Sequence, residues 1–194
     1  MNSLIDQLTT LVTLSKQNFY FTCILIGILW VIQIINWLLG NRLNYLGIYP
    51  RHLLGLPGII CSPFLHGNFE HLFLNTIPLL ILIDLVLMAG QTTFFLITFS
   101  IILQSGFAVW LFARRAIHVG ASSLILGYWG YLLMNSYHAP SAMTVILAIL
   151  CIYYLGSLAL SLLPLDAKAS WEGHVFGFLA GISTAYLIPW VNVY

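Results

Sequence analysis

In a chain with 61% apolar and 6% charged residues, the polar side chains inside hydrophobic stretches are the places to look for chemistry. Each costs free energy in lipid and needs a partner or a task. Three clusters stand out. In the first, His66-Gly67-Asn68-Phe69-Glu70-His71-Leu72-Phe73-Leu74-Asn75, His71 and Asn75 are four residues apart and share one helical face. The second, Gly120-Ala121-Ser122-Ser123, heads a short apolar stretch. There the exposed backbone N–H groups and positive dipole end of a helix suit a developing oxyanion. The third is His174-Val175-Phe176-Gly177-Phe178-Leu179-Ala180-Gly181. His174, Gly177 and Gly181 fall on one face, and the glycine pair lets another helix come close. Ser123 and Gly127 form a matching small pair on the short helix, so the two helices can meet and set a serine against a histidine. A nucleophile, a base and side-chain oxyanion donors are the set that a hydrolase site requires.

The elements that must hold these groups are membrane helices. Mean hydropathy is +1.00, and soluble domains carry roughly 25% charged residues, so this chain belongs in a bilayer. Its 194 residues accommodate six helices of about 20 residues and leave no room for a second domain. The expected fold is all-α: a polytopic six-helix bundle over 19–191, preceded by an N-terminal interfacial segment, 1–18, and followed by a tail, 192–194. Apolar positions at Leu4, Leu8, Leu11, Val12 and Leu14 give that first segment a short helix of its own. Spans are predicted over Phe19–Leu39, Phe69–Met88, Thr92–Ala113, Ser122–Asn135, Ala142–Leu163 and Trp171–Val191. The fourth, about 14 residues, rises only about 20 Å against a hydrocarbon layer of ~30 Å, so Ser122 must begin its helix inside the membrane. Pro78, within the second span, leaves the Leu74 carbonyl unpaired and predicts a kink near the site. Between the first two spans, Pro50, Gly55, Pro57, Gly58 and Pro63 mark 41–63 as a loop packed against protein.

Other chemistries fit poorly. Formal net charge is +1 without a run of Lys or Arg, so the electrostatic footprint of a nucleic-acid binder is missing. Cys23, Cys61 and Cys151 are isolated and read as packing residues. No HExxH exists for a zinc protease and no membrane aspartate pair for an aspartyl one; neither metal nor other cofactor is expected. Asp84 lies 13 residues past His71, roughly 20 Å along the helix, and reads as a paired or snorkelling structural group. His118, four residues before Ser122, reads as a loop histidine hydrogen-bonded to backbone.

At these clusters the chain resembles the rhomboid family of intramembrane serine proteases over about residues 45 to 185. The family's HxxxxHxxxN is matched by His66, His71 and Asn75, its GxSG by Gly120, Ala121 and Ser122, and its HxxGxxxG by His174, Gly177 and Gly181. The resemblance implies Ser122 as nucleophile and His174 as general base. His71, Asn75 and the Ser122 backbone N–H would form the oxyanion hole, and His66 would be a structural hydrogen-bonding residue ahead of the span. The last glycine of GxSG is Ser123 here, and Leu126 stands where many members carry an aromatic ring. Implied partners are the lipid bilayer and a transmembrane protein substrate; no oligomeric state is implied. A multi-pass protein of a prokaryotic inner membrane is expected, with cytosolic termini, although Arg42, Arg51, Arg114, Arg115 and Lys168 by themselves favour the reverse orientation. The alternative is a catalytically inactive rhomboid-like protein that binds membrane clients.

Overall fold

The computed structural model describes residues 4–138, 140, 149 and 170–188. The fifth expected span, apart from residue 149, the end of the sixth and the 192–194 tail lie outside the described residues. Six helices are described: α1 (Leu4–Leu38), α2 (Gly58–Cys61), α3 (Phe69–Leu87), α4 (Gln91–Phe112), α5 (Ser122–His138) and α6 (Trp171–Leu187). The chain is all-α, and α1, α3 and α4 are each long and apolar enough to cross a membrane. Large side chains such as Phe73, Leu74, Ile77, Phe95 and Phe99 point outward, as a lipid-facing surface requires.

Two boundaries differ from expectation. No break separates an N-terminal segment from the first span: α1 runs unbroken through 18 and 19 for 35 residues. Its early hydroxyls do not interrupt it, because Thr9, Thr10 and Thr13 each donate to the carbonyl four residues back. Likewise α5 continues past Asn135 to His138, since the Ser136 hydroxyl donates to the Leu132 carbonyl at 2.8 Å. Its 17 residues rise about 25 Å, still short of a bilayer core.

The central helix is α5. Every residue from Leu124 to Tyr131 is buried, the pattern of a helix covered on all sides. It packs mainly against α6, with α3 and α4 on other faces, while α4 also packs on α6 and α1 lies along α3. Several polar groups inside the bundle are hydrogen-bonded to one another, most of them between helices, where lipid offers no alternative partner. Trp30 donates to Thr76 at 3.2 Å, and Thr98 bonds to Tyr128 at 2.7 Å. Gln104 donates to Ser100 and Thr184 at 2.8 and 3.0 Å. Asp84 accepts from Ser15 at 2.7 Å, the paired structural role read from its position.

The loop between α1 and α3 is folded onto the bundle. Short 3-10 turns at Arg42–Leu46, Leu53–Gly55 and Ser62–Phe64 flank α2. A Cβ on Gly58 would fall on the Gly47 backbone, and one on Gly106 of α4 would lie 2.7 Å from Ile59, so these glycines let backbone meet backbone or side chain closely. Arg51 donates to the Leu111 carbonyl at 3.0 Å and Arg114 pairs with Glu172. Two of the cations behind the reversed charge bias are thus engaged in protein packing.

Candidate active site

The start of α3 is set by Asn68, whose extended backbone and side chain cap the helix: Oδ1 accepts from His71 N–H at 2.7 Å. That cap fixes the first turn carrying His71 and, one turn on, Asn75. Asn75 is buried, and its Nδ2 has no hydrogen-bond partner among the described residues. A buried, unused amide donor is costly, and in a hydrolase site it is what an oxyanion would accept from. The helix runs through Pro78.

Gly120 brings the loop that precedes Ser122 to this face. Its φ is +125°, a conformation that side-chain-bearing residues rarely adopt. A Cβ there would sit 2.9 Å from His71 Nε2, 2.7 Å from Cε1 and 3.9 Å from Asn75 Nδ2. The His71 ring edge and the Asn75 amide therefore lie against the backbone two residues before Ser122. Gly120 N–H donates to the Ser62 carbonyl at 2.9 Å, which anchors the loop to 62–64. Ser122 is the first residue of α5, where N–H groups lack an intrahelical acceptor.

On the other side, a Cβ on Gly177 would fall on the Ser123 carbonyl, 2.8 Å from its Cα, and one on Gly181 would fall on the Gly127 carbonyl. The small faces of α5 and α6 meet as the sequence pattern anticipates. This contact sets the start of α5 beside the start of α6, with His174 one turn before Gly177. His174 lies within electrostatic range of His71. The loop before Ser122 thus meets α3 at His71 and Asn75, and the first turn of α5 meets α6 at Gly177.

His66 plays a different part from the one the resemblance implies. Its ring is fully buried, 5.2 Å from the His71 ring in an edge-to-face arrangement. Both ring nitrogens lack a hydrogen-bond partner among the described residues; the bond at this position goes to its backbone, where Asn44 Nδ2 donates to the carbonyl at 3.2 Å. Burial, and then the neighbouring His71, pushes its pKa down to about 3, so the ring is neutral and acts by packing. Leu126 is fully buried. Tyr128 faces Phe94 and bonds to Thr98, while Trp129 packs on Phe178.

A small cavity of about 20 Å³ borders Ser122, with apolar walls that include Ile59 and Ile102 and polar groups from Ser62, Ser105, His118 and Ser170. That is room for about one water. Among the described residues, no three His, Cys, Asp or Glu side chains gather as a metal site would need. Two features escaped the sequence reading. Glu172, buried at the start of α6, lies 3.6 Å from Arg114 Nε and accepts from the Arg114 N–H at 3.4 Å. Ser170 meets His118 across the cavity wall. Partners 58 and 52 residues apart leave no local spacing to detect.

The model of the rhomboid domain matches residues 55–190, a stretch that contains all three clusters. The chain belongs to the rhomboid family. It is 33% identical over 172 residues to uncharacterised proteins of Mycobacterium bovis and of Mycobacterium tuberculosis strain H37Rv, covering 84% of this chain and 72% of each relative. An uncharacterised Mycobacterium leprae protein is 31% identical over 171 residues, covering 84% and 68%. This rhomboid protein is an integral membrane protein, and its bacterial relatives fit a prokaryotic membrane.

Proposed function

We propose that this protein is an intramembrane serine protease with six spans in a prokaryotic cell membrane, cleaving peptide bonds in or near transmembrane segments of protein substrates. The observation that carries the reading is the seating of Gly120 against His71 and Asn75, with α6 packed backbone-to-backbone on Ser123. One serine then has a base on one side and oxyanion donors on the other.

In the first step Ser122 Oγ attacks the scissile carbonyl carbon and passes its proton to His174. The oxyanion accepts from His71, Asn75 Nδ2 and the Ser122 N–H. His174 then protonates the leaving amine as the C–N bond breaks, leaving an acyl ester on Ser122. Water, deprotonated by His174, attacks that ester, the same donors hold the second oxyanion, and as the C–O bond breaks His174 returns the proton to Ser122 Oγ. A helical substrate hides its peptide bonds, so residues that unwind the helix should favour cleavage.

Exchange of His174→Ala tests this with a transmembrane reporter substrate in detergent. Cleavage should vanish while the thermal unfolding midpoint stays near wild type. Near-normal turnover would remove the dyad. The rival reading, an inactive client-binding protein, draws on Ser123 and Leu126 at positions where active members differ, and predicts reporter binding without cleavage in the wild type.

A further inference from the structure

We propose that His118 and Ser170 are a positioning pair that holds Ser122 and His174 in register. The proposal rests on the dyad reading above. Nδ1 of His118 lies 2.5 Å from Ser170 Oγ, and Nε2 lies 3.0 Å from the Arg114 carbonyl. A carbonyl only accepts, so Nε2 carries a proton; in the neutral ring Nδ1 is then the acceptor and the Ser170 hydroxyl donates. The backbone is held as firmly, because His118 and Ile48 exchange N–H···O bonds of 2.9 and 3.0 Å. The ring is buried at 6% exposure and cannot swing away without breaking these bonds.

The placement gives the pair its consequence. His118 stands four residues before Ser122, and Ser170 stands four residues before His174. Ser170 also accepts the His174 N–H on its carbonyl at 3.3 Å. On the far side of the dyad, Gly177 meets the Ser123 backbone. Each reactive residue is therefore bracketed: the helix contact fixes one side, and the His118–Ser170 bond fixes the other. The close contacts at Gly177 and Gly181 hold α5 to α6, but the loop 113–121 lies before them and depends on its own bonds to the start of α6. Arg114 and Glu172 cross the same gap, through a 3.6 Å pair whose partly exposed guanidinium solvent weakens and a long Arg114 N–H bond of 3.4 Å, whereas the His118–Ser170 bond is short and made by a buried ring.

The test uses the full chain in detergent and a fluorophosphonate, whose phosphorus Ser122 Oγ attacks with loss of fluoride as His174 takes the proton. Labelling rates over a range of probe concentrations separate the maximal rate from probe affinity. Thermal unfolding is followed in parallel. His118→Ala and Ser170→Ala should each lower the maximal rate by about 10- to 100-fold, the scale of a misplaced reacting group, with affinity changed less than about 3-fold. The double variant should be no slower than the slower single one, because both remove the same bond. Ser170→Thr and His118→Asn, which keep the hydroxyl and an acceptor at the Nδ1 position, should recover most of the rate. Wild-type rates in both alanine variants, multiplied losses in the double variant, or failure of both conservative exchanges to recover would overturn the pair. A wild-type chain that does not label would overturn the dyad reading itself.

Discussion

Placing a methyl group at Gly177 perturbs the site through backbone contact alone. A Cβ there would lie 2.8 Å from both Ser123 Cα and its carbonyl carbon, whereas ordinary contacts begin at 3.4 Å. Because the obstacles are backbone atoms, no rotamer change relieves them. The Ser123 carbonyl oxygen lies closer still, so the helices must part by more than about 0.6 Å, and overpacking of this kind costs about 1–3 kcal/mol. The displacement falls one turn from His174, where errors approaching 1 Å can cost roughly 10²-fold in rate. Gly177→Ala should therefore lower kcat on a transmembrane reporter by about 10- to 100-fold and depress the unfolding midpoint, with KM nearly unchanged. Gly27→Ala is the control, since nothing lies within 4 Å of a Cβ there and alanine favours a helix by up to about 1 kcal/mol. Wild-type kcat and stability in Gly177→Ala would refute the proposed apposition of α5 and α6.

Asn75→Ala and His71→Ala should each reduce kcat by about 10- to 10³-fold with smaller changes in KM; an effect confined to KM reassigns them to substrate binding. Ser123→Gly should keep or raise reporter cleavage, while Ser123→Leu should inactivate by forcing α5 from α6, and the reverse order would contradict the packing role. For His66, the folded pKa of about 3 lies below the ordinary 6.5, so the unfolded chain binds the extra proton. Its contribution to stability is complete above pH 6.5 and falls by about 1.4 kcal/mol per pH unit between there and about 3. His66→Phe should flatten that slope by one proton in unfolding measured from pH 7 to pH 4; an unchanged slope would show that the buried neutral ring is not its source.

What the sequence made legible was local. His71 and Asn75 share a face because of a spacing of four, and the Gly177–Gly181 pair could be matched to Ser123 and Gly127 because helix contacts in lipid favour small residues. Termini were less legible. Ser136 and the threonines of 9–13 look like breaks as isolated polar residues, yet their hydroxyls are satisfied within the helix that carries them. The chain could not disclose how distant segments pair. A backbone bond for His118 holds for the Arg114 carbonyl, but its bond to Ser170 depends on how α6 starts beside the loop before Ser122. Glu172 likewise gains its meaning only from Arg114 across that gap.

The identity of the nucleophile is open to the most direct measurement, because Ser122 and Ser123 are adjacent and turn by about 100° from each other on the helix. Fluorophosphonate labelling of the detergent-solubilised protein should mark the wild type and Ser123→Gly and leave Ser122→Ala unmarked. Labelling that persists in Ser122→Ala but disappears in Ser123→Gly would contradict the site built around Ser122 and His174.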